Sequence, residues 1–154
     1  MHVIVTTDGS RASLVGAKQF RWIADSREIT DVTVLAVVSP YSAVPFANEL
    51  GDQRPVGVAD LSFGDEARRA VELVAAEFAG WGPTVRTEVR SGSPAQEIVR
   101  AAEDLDADLI SMAAGGRGLT RTILLGSTAS RVQHSAPCPV LVTRPTARSE
   151  RVTG

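Results

Sequence analysis

The sequence predicts an α/β domain built on one doubly wound, five-stranded parallel sheet with helices on both faces. Three observations carry that reading. Short β-branched apolar runs alternate along the chain with stretches of helical period. The run at 32–38 is almost continuously apolar, as in strands buried on both sides. A chain of 154 residues with 44% hydrophobic and 22% charged residues suits one ordinary globular domain.

Val3-Ile4-Val5 reads as the first strand and ends at the turn-forming cluster Thr6-Thr7-Asp8-Gly9-Ser10. A helix follows over 10–24, with Ala12, Gly16, Phe20 and Ile23 on a face that packs closely on a sheet. Residues 32–38 form the second strand. Pro40, Pro45, Gly51, Pro55 and Gly57 interrupt the rhythm through 39–62, a long excursion of the kind that is often functional. Phe63, Ala67, Ala70, Val71, Val74 and Phe78 line the second helix, which Gly80 to Gly82 ends. Residues 84–89 alternate in polarity, as befits a sheet edge or its neighbour.

Ser93-Pro94-Ala95-Gln96 opens the third helix, with Ser93 as cap, Pro94 at the first helical position and Gln96 completing a capping box. Ala95, Ile98, Ala102 and Leu105 form its buried face. Leu109-Ile110-Ser111-Met112 is the fourth strand. The last helix starts near Gly126-Ser127 and buries Ala129, Val132 and Ala136. Val140-Leu141-Val142 is the fifth strand. A single domain over 1–146 is expected, with 147–154 as a polar, frayed tail.

Composition excludes several classes. The net charge of −2 is wrong for a dedicated nucleic-acid binder. Cys138 is the single cysteine, so an intrachain disulfide framework is impossible. His2 and His134, the two histidines, give little material for a metal centre. No apolar run is long enough to span a membrane, and no charged leader with a cleavable apolar region is visible, so a cytoplasmic location is expected.

Open parallel sheets bind ligands at the carboxyl ends of their strands, where strand order reverses. Two loops of unusual composition follow strands: Thr7-Asp8-Gly9-Ser10 and 113–118. Gly115, Gly116 and Gly118 let backbone N–H groups approach a ligand and form an anion-binding nest. Gly126-Ser127-Thr128 stands at a helix start, where free N–H groups and the helix dipole favour phosphate. Arg117 and Arg121 are either auxiliary charges or solvated surface residues. Asp8 either accepts from ribose hydroxyls or caps the first helix. No G-x-x-x-x-G-K-[ST] loop, no complete dinucleotide G-x-G-x-x-G and no receiver-type acidic cluster is present.

These residues resemble the universal stress protein family over about residues 2–144. The resemblance is carried by Val3-Ile4-Val5 with Asp8-Gly9-Ser10, by Gly92-Ser93-Pro94, and by Ala107-Asp108-Leu109-Ile110. Its most specific parts run from Met112 through Gly116 to Leu124-Leu125-Gly126-Ser127, and over 136–142. ATP-binding members carry G-x2-G-x9-G-[ST]. Gly116, Gly126 and Ser127 match, and Ala113 stands where the first glycine belongs. At a position of positive φ a methyl group costs about 1–2 kcal/mol, whereas on ordinary backbone it only crowds the ligand.

The resemblance implies strand order 3-2-1-4-5. It implies that Asp8 meets ribose or adenine, that Val37 offers backbone contacts to adenine, and that Met112 and Ala113 lie along the ribose and α-phosphate. Gly116, Gly126, Ser127 and Thr128 would hold the phosphates, with Arg117 as an auxiliary contact. It further implies a homodimer through the edge strand Val140-Leu141-Val142, which would solve that strand's exposed-edge problem. The expected function is a stress-response module that binds ATP, with or without Mg2+, hydrolyses it little or not at all, and signals to a protein partner. The alternative is a nucleotide-free dimeric scaffold of the same fold, which Ala113 favours. An adenylyl transferase of the wider superfamily would need a catalytic histidine or P-loop-like signature that the sequence lacks.

Overall fold

The computed structural model describes residues 1–39, 63–115 and 125–144. Five strands, β1 (His2–Thr7), β2 (Asp31–Val38), β3 (Thr84–Ser91), β4 (Leu109–Ala113) and β5 (Val140–Thr143), form one sheet in the order β3-β2-β1-β4-β5. Every neighbouring pair is parallel. The helices are α1 (Arg11–Ile23), α2 (Phe63–Ala76), α3 (Pro94–Asp104) and α4 (Ser127–Ser135). The expected excursion at 39–62 falls outside the described residues from Pro40 onward. So do Gly116, Arg117, Gly118 and Arg121, and the polar tail.

The period-2 alternation of the central strands divides the core into two layers. Val3 and Val5 of β1 join Val32 and Val34 of β2 beneath α1 and α2, with Phe20, Val71, Val74 and Phe78. Ile4, Leu35, Ile110 and Met112 face the other way, beneath α3 and α4, with Ile98, Ala101, Ala129 and Val132. Phe20, Phe78 and Trp81 meet in an aromatic cluster with ring centroids 5.5–6.2 Å apart, which ties α1 to the turn after α2. Phe78 lies beyond the end of α2 at Ala76, in a run of i→i+3 bonds, yet remains buried.

Caps explain where the helices start, and they correct two sequence expectations. Ser10, not Asp8, is the N-cap of α1, and its Oγ accepts from the Ser13 N–H at 3.2 Å. Ser93 is the N-cap of α3 and Pro94 follows it, but the capping box does not form, because Ser93 makes no side-chain cap bond. Gln96 instead lines a groove between α3 and α4, with Arg100 and Arg131. Glu97 occupies the space over Gly92 and accepts from Arg100 at 2.9 Å.

His2 is engaged at the amino ends of the strands, the end opposite the β4–α4 connection. Its Nδ1 donates to the Leu105 carbonyl at 3.1 Å, which leaves Nε2 to pair with Thr33 Oγ1 at 2.8 Å. Among the described residues, no group of three or more His, Cys, Asp or Glu side chains is placed to hold a metal. No described helix is long and apolar enough to cross a membrane.

Cys138 is half-buried before β5 and packs on the α3–α4 side of the core. Burial pushes its thiol pKa above the ordinary value, and the nearby Asp108 charge adds to the effect. A raised pKa means less thiolate at a given pH. Alkylation by iodoacetamide at pH 8 is therefore expected to be several-fold slower in the native protein than in protein unfolded by guanidinium. Equal rates would show that the thiol is neither shielded nor shifted.

Candidate nucleotide-binding cleft

β1 and β4 are adjacent, and the chain leaves them toward opposite halves of the sheet. Strand order therefore reverses between them, and their carboxyl ends open onto a cleft. A cavity of about 370 Å³ lies there, within the size range of small-ligand sites. Thr6, Thr7 and Asp8 contribute from β1 and its turn, and Leu35 and Val37 from β2. Pro94 and Ile98 of α3 form an apolar wall. Met112 to Gly115 form the wall after β4, and Gly126 to Ala129 close the cleft at the start of α4.

Asp8 is exposed at the rim and held in one orientation. Its Oδ1 accepts from the Ser10 N–H at 3.0 Å and from Ser10 Oγ at 2.5 Å, leaving Oδ2 without a described partner. Beneath it runs a directed hydroxyl chain. Ser13 Oγ donates to the Ser10 carbonyl at 2.8 Å, so the 2.8 Å contact between Thr7 and Ser13 has Thr7 as donor. Thr7 Oγ1 in turn accepts from the Gly9 N–H at 3.2 Å. These side-chain hydrogen bonds define the turn's geometry.

The start of α4 is the cleft's electropositive element. Its N-cap is Gly126, which has no side chain with which to satisfy the first-turn N–H groups. The carbonyl of Gly126 accepts the Ser130 N–H at 2.9 Å, so the amides of Ser127, Thr128 and Ala129 precede the first intrahelical bond. All three residues line the cavity. Ser127 and Thr128 are thus not caps but first-turn residues on the cleft. The Gly126 N–H donates to the Ala114 carbonyl at 2.6 Å and seats the helix start on the wall after β4.

Ala113 is accommodated by its neighbour on α1. Asp106 is the one described non-glycine residue with positive φ, so the Ala113 methyl carries no left-handed strain. Alternation along β4 turns Ile110 and Met112 toward α3 and α4, and Leu109 and Ala113 toward α1. There Gly16 leaves room: a Cβ built on Gly16 would stand 3.5 Å from the Ala113 Cβ.

Of the residues singled out in the sequence, Asp8, Val37, Met112, Ala113, Gly126, Ser127 and Thr128 all converge on this one cavity. Gly116 and Arg117 lie outside the described residues. Thr7 falls in the first loop that the sequence singled out, whereas sequence reasoning missed Thr6, Ser13, Leu35, Pro94, Ile98 and Ala129 as lining residues. The hydroxyl-rich stretch from Thr6 to Ser13 was the available signal for the first two.

A doubly wound parallel sheet with a cleft at its switch point defines an α/β fold of the class that binds ligands at the carboxyl ends of its strands. Residues 1–144 match the universal stress protein family. A universal stress protein of Methanocaldococcus jannaschii is 38% identical over 143 residues, covering 92% of this chain and 81% of that protein. The chain spans less than half the length of several other curated relatives that it matches. A second M. jannaschii universal stress protein, of solved structure, superposes with a TM-score of 0.70 at 26% identity, covering 94% of this chain and 96% of that one. A universal stress family protein of Arabidopsis thaliana, solved with AMP bound, has a TM-score of 0.67 at 18% identity, covering 96% and 94%. The chain belongs to the universal stress protein family.

Proposed function

We propose that this chain is a stress-response module that binds ATP in the cleft and turns it over slowly or not at all. The observation that carries the reading is the side-chain-free N-cap of α4, whose first-turn residues open onto the cavity opposite Asp8. Phosphates suit the α4 end, where amides and the helix dipole favour anions. The ribose suits Asp8 Oδ2, which is free to accept two hydroxyls. Adenine suits the apolar space between Val37, Ile98 and Met112, consistent with the AMP bound by the Arabidopsis relative.

Low turnover follows from the lining. Asp8 is its one carboxylate among the described residues, and Ser10 already holds half of it, which favours binding over general-base chemistry. Mg2+ would arrive on the phosphates, since it keeps several waters and needs few protein carboxylates. The reading includes a homodimer through β5, an edge strand of which Val140, Leu141 and Val142 are only partly buried. It includes a cytoplasmic setting and an unidentified protein partner.

The test is thermal unfolding with and without Mg-ATP, because a ligand that binds only the native state must raise the Tm. Wild-type protein is expected to gain stability at ATP concentrations far above its Kd. Asp8→Ala is expected to weaken ATP about fivefold and Ser127→Ala about threefold, each the scale of a single lost hydrogen bond. A wild-type Tm that does not respond, together with no nucleotide released on denaturation, would leave the nucleotide-free scaffold.

Restoring the motif glycine supplies a further check. Ala113→Gly is expected to leave ATP affinity within about twofold, because the methyl faces Gly16. It is expected to lower stability by about 0.5–1 kcal/mol through added chain entropy. A large gain in affinity would show that the methyl obstructs the ligand.

A further inference from the structure

We infer that Thr143 is a positioning residue for the phosphate end of the cleft, although it does not line the cavity. The inference rests on the nucleotide reading above. Thr143 is the last residue of β5 and is buried, paired in register with Ala113. Its carbonyl accepts the Ala114 N–H at 2.9 Å, and its hydroxyl donates to the Met112 carbonyl at 3.2 Å. The two bonds bracket Ala113 from both sides. The next link is the Gly126 N–H on the Ala114 carbonyl at 2.6 Å. A continuous line of hydrogen bonds thus runs from the end of β5, through the wall after β4, to the first residue before α4.

Two residues of α1 hold the β5 end of that line. Gly16 of α1 gives the Thr143 hydroxyl its space: a Cβ there would stand well under 3.0 Å from Oγ1. Gln19, one turn along α1, donates to the Arg144 carbonyl at 2.9 Å and holds the chain as it leaves β5. Met112 is paired with Val142 inside the sheet, and Ala114 is the first residue beyond β4, where this line holds both its N–H and its carbonyl. The hydroxyl of Thr143 sets how far Met112 to Ala114 stand from α4. The distance between the wall and the α4 amides is what a phosphate reads.

Thr143→Val keeps the shape and removes the hydroxyl, and Thr143→Ser keeps the hydroxyl. The probes are ATP, which engages the α4 end, and adenosine, which does not. Thr143→Val is expected to weaken ATP about five- to tenfold and adenosine by less than twofold, with Thr143→Ser returning ATP affinity to within twofold of wild type. A purely structural role would move both ligands in the same proportion, or neither, and either result would overturn the assignment. Wild-type protein that binds neither probe would instead sink the nucleotide reading. The bracket is then decided by amide hydrogen exchange, where Ala114 and Gly126 should exchange faster in Thr143→Val. Unchanged exchange at those amides would overturn it.

Discussion

Gly126→Ala is expected to weaken ATP binding more than tenfold while leaving the protein folded. Gly126 has ordinary extended backbone, with φ −60° and ψ 154°, so conformational freedom is not the reason for glycine here. Close approach is. A Cβ at this position would stand 3.0 Å from the Ala114 carbonyl oxygen and 3.5 Å from Gly115 Cα. Both are backbone atoms, so no side-chain rotation relieves the contact. The start of α4 must retreat by a few tenths of an ångström, or the wall after β4 must.

Either movement stretches the 2.6 Å bond from Gly126 to Ala114 and displaces the amides of Ser127, Thr128 and Ala129 together. Single side-chain losses such as Ser127→Ala remove one contact, whereas this change misplaces several at once, so its effect is larger. A tenfold loss corresponds to about 1.4 kcal/mol, within reach of two misaligned charge-assisted bonds. Calorimetric titration with ATP measures it directly. Adenosine affinity should change little, since the proposed pose puts the base and ribose against β1, β2 and α3. Equal losses for ATP and adenosine would place the phosphates elsewhere in the cleft.

The legible parts of this molecule were those that local chemistry decides. Alternating period and continuous apolar runs marked every strand, and the structure extends them by only a residue or two at their ends. Gly126-Ser127 marked the start of α4 correctly, because a helix end announces itself in residues that adjoin in sequence. Two local expectations failed where several residues could do the same job. Asp8 was read as ribose acceptor or as the cap of α1, and Ser10 took the cap position while binding Asp8 itself. Gln96 had the spacing for a capping box but lines the α3–α4 groove instead. Asp8 and Gly126-Ser127-Thr128 were legible from loop and helix-start chemistry, whereas the strand order and the places of Val37, Met112 and Ala113 came only through the family resemblance. Pro94 and Ile98 were not legible as cleft residues at all, since only the packing of α3 on β2 brings them to Val37. The pairing of Gly16 with Thr143 joins opposite ends of the chain, and no spacing rule reaches that far.

That pairing makes Gly16→Ala the second large effect, with a sign opposite to the ordinary one. In a helix interior, alanine is favoured over glycine by roughly 1 kcal/mol. Gly16 is in the middle of α1, and it is buried against the ends of β4 and β5. A Cβ there meets Thr143 Oγ1 well inside contact distance and Thr143 Cβ at 3.6 Å. The hydroxyl must leave, and with it the bond to the Met112 carbonyl. Overpacking of this kind costs about 1–3 kcal/mol, and the lost bond about 1 kcal/mol more. The net expectation is a destabilisation of about 1–3 kcal/mol, measured by urea unfolding. Thr143→Ala removes the obstructing atoms, so Gly16→Ala in that background should recover the helix preference and become neutral or stabilising. The two substitutions should therefore couple by about 1–3 kcal/mol in a double-mutant cycle, the range seen for residues in direct contact. Additive effects would mean that α1 shifts as a body to absorb the methyl group. In that case Gly16 would be set by the general closeness of helix and sheet, and the Thr143 hydroxyl would have no part in it.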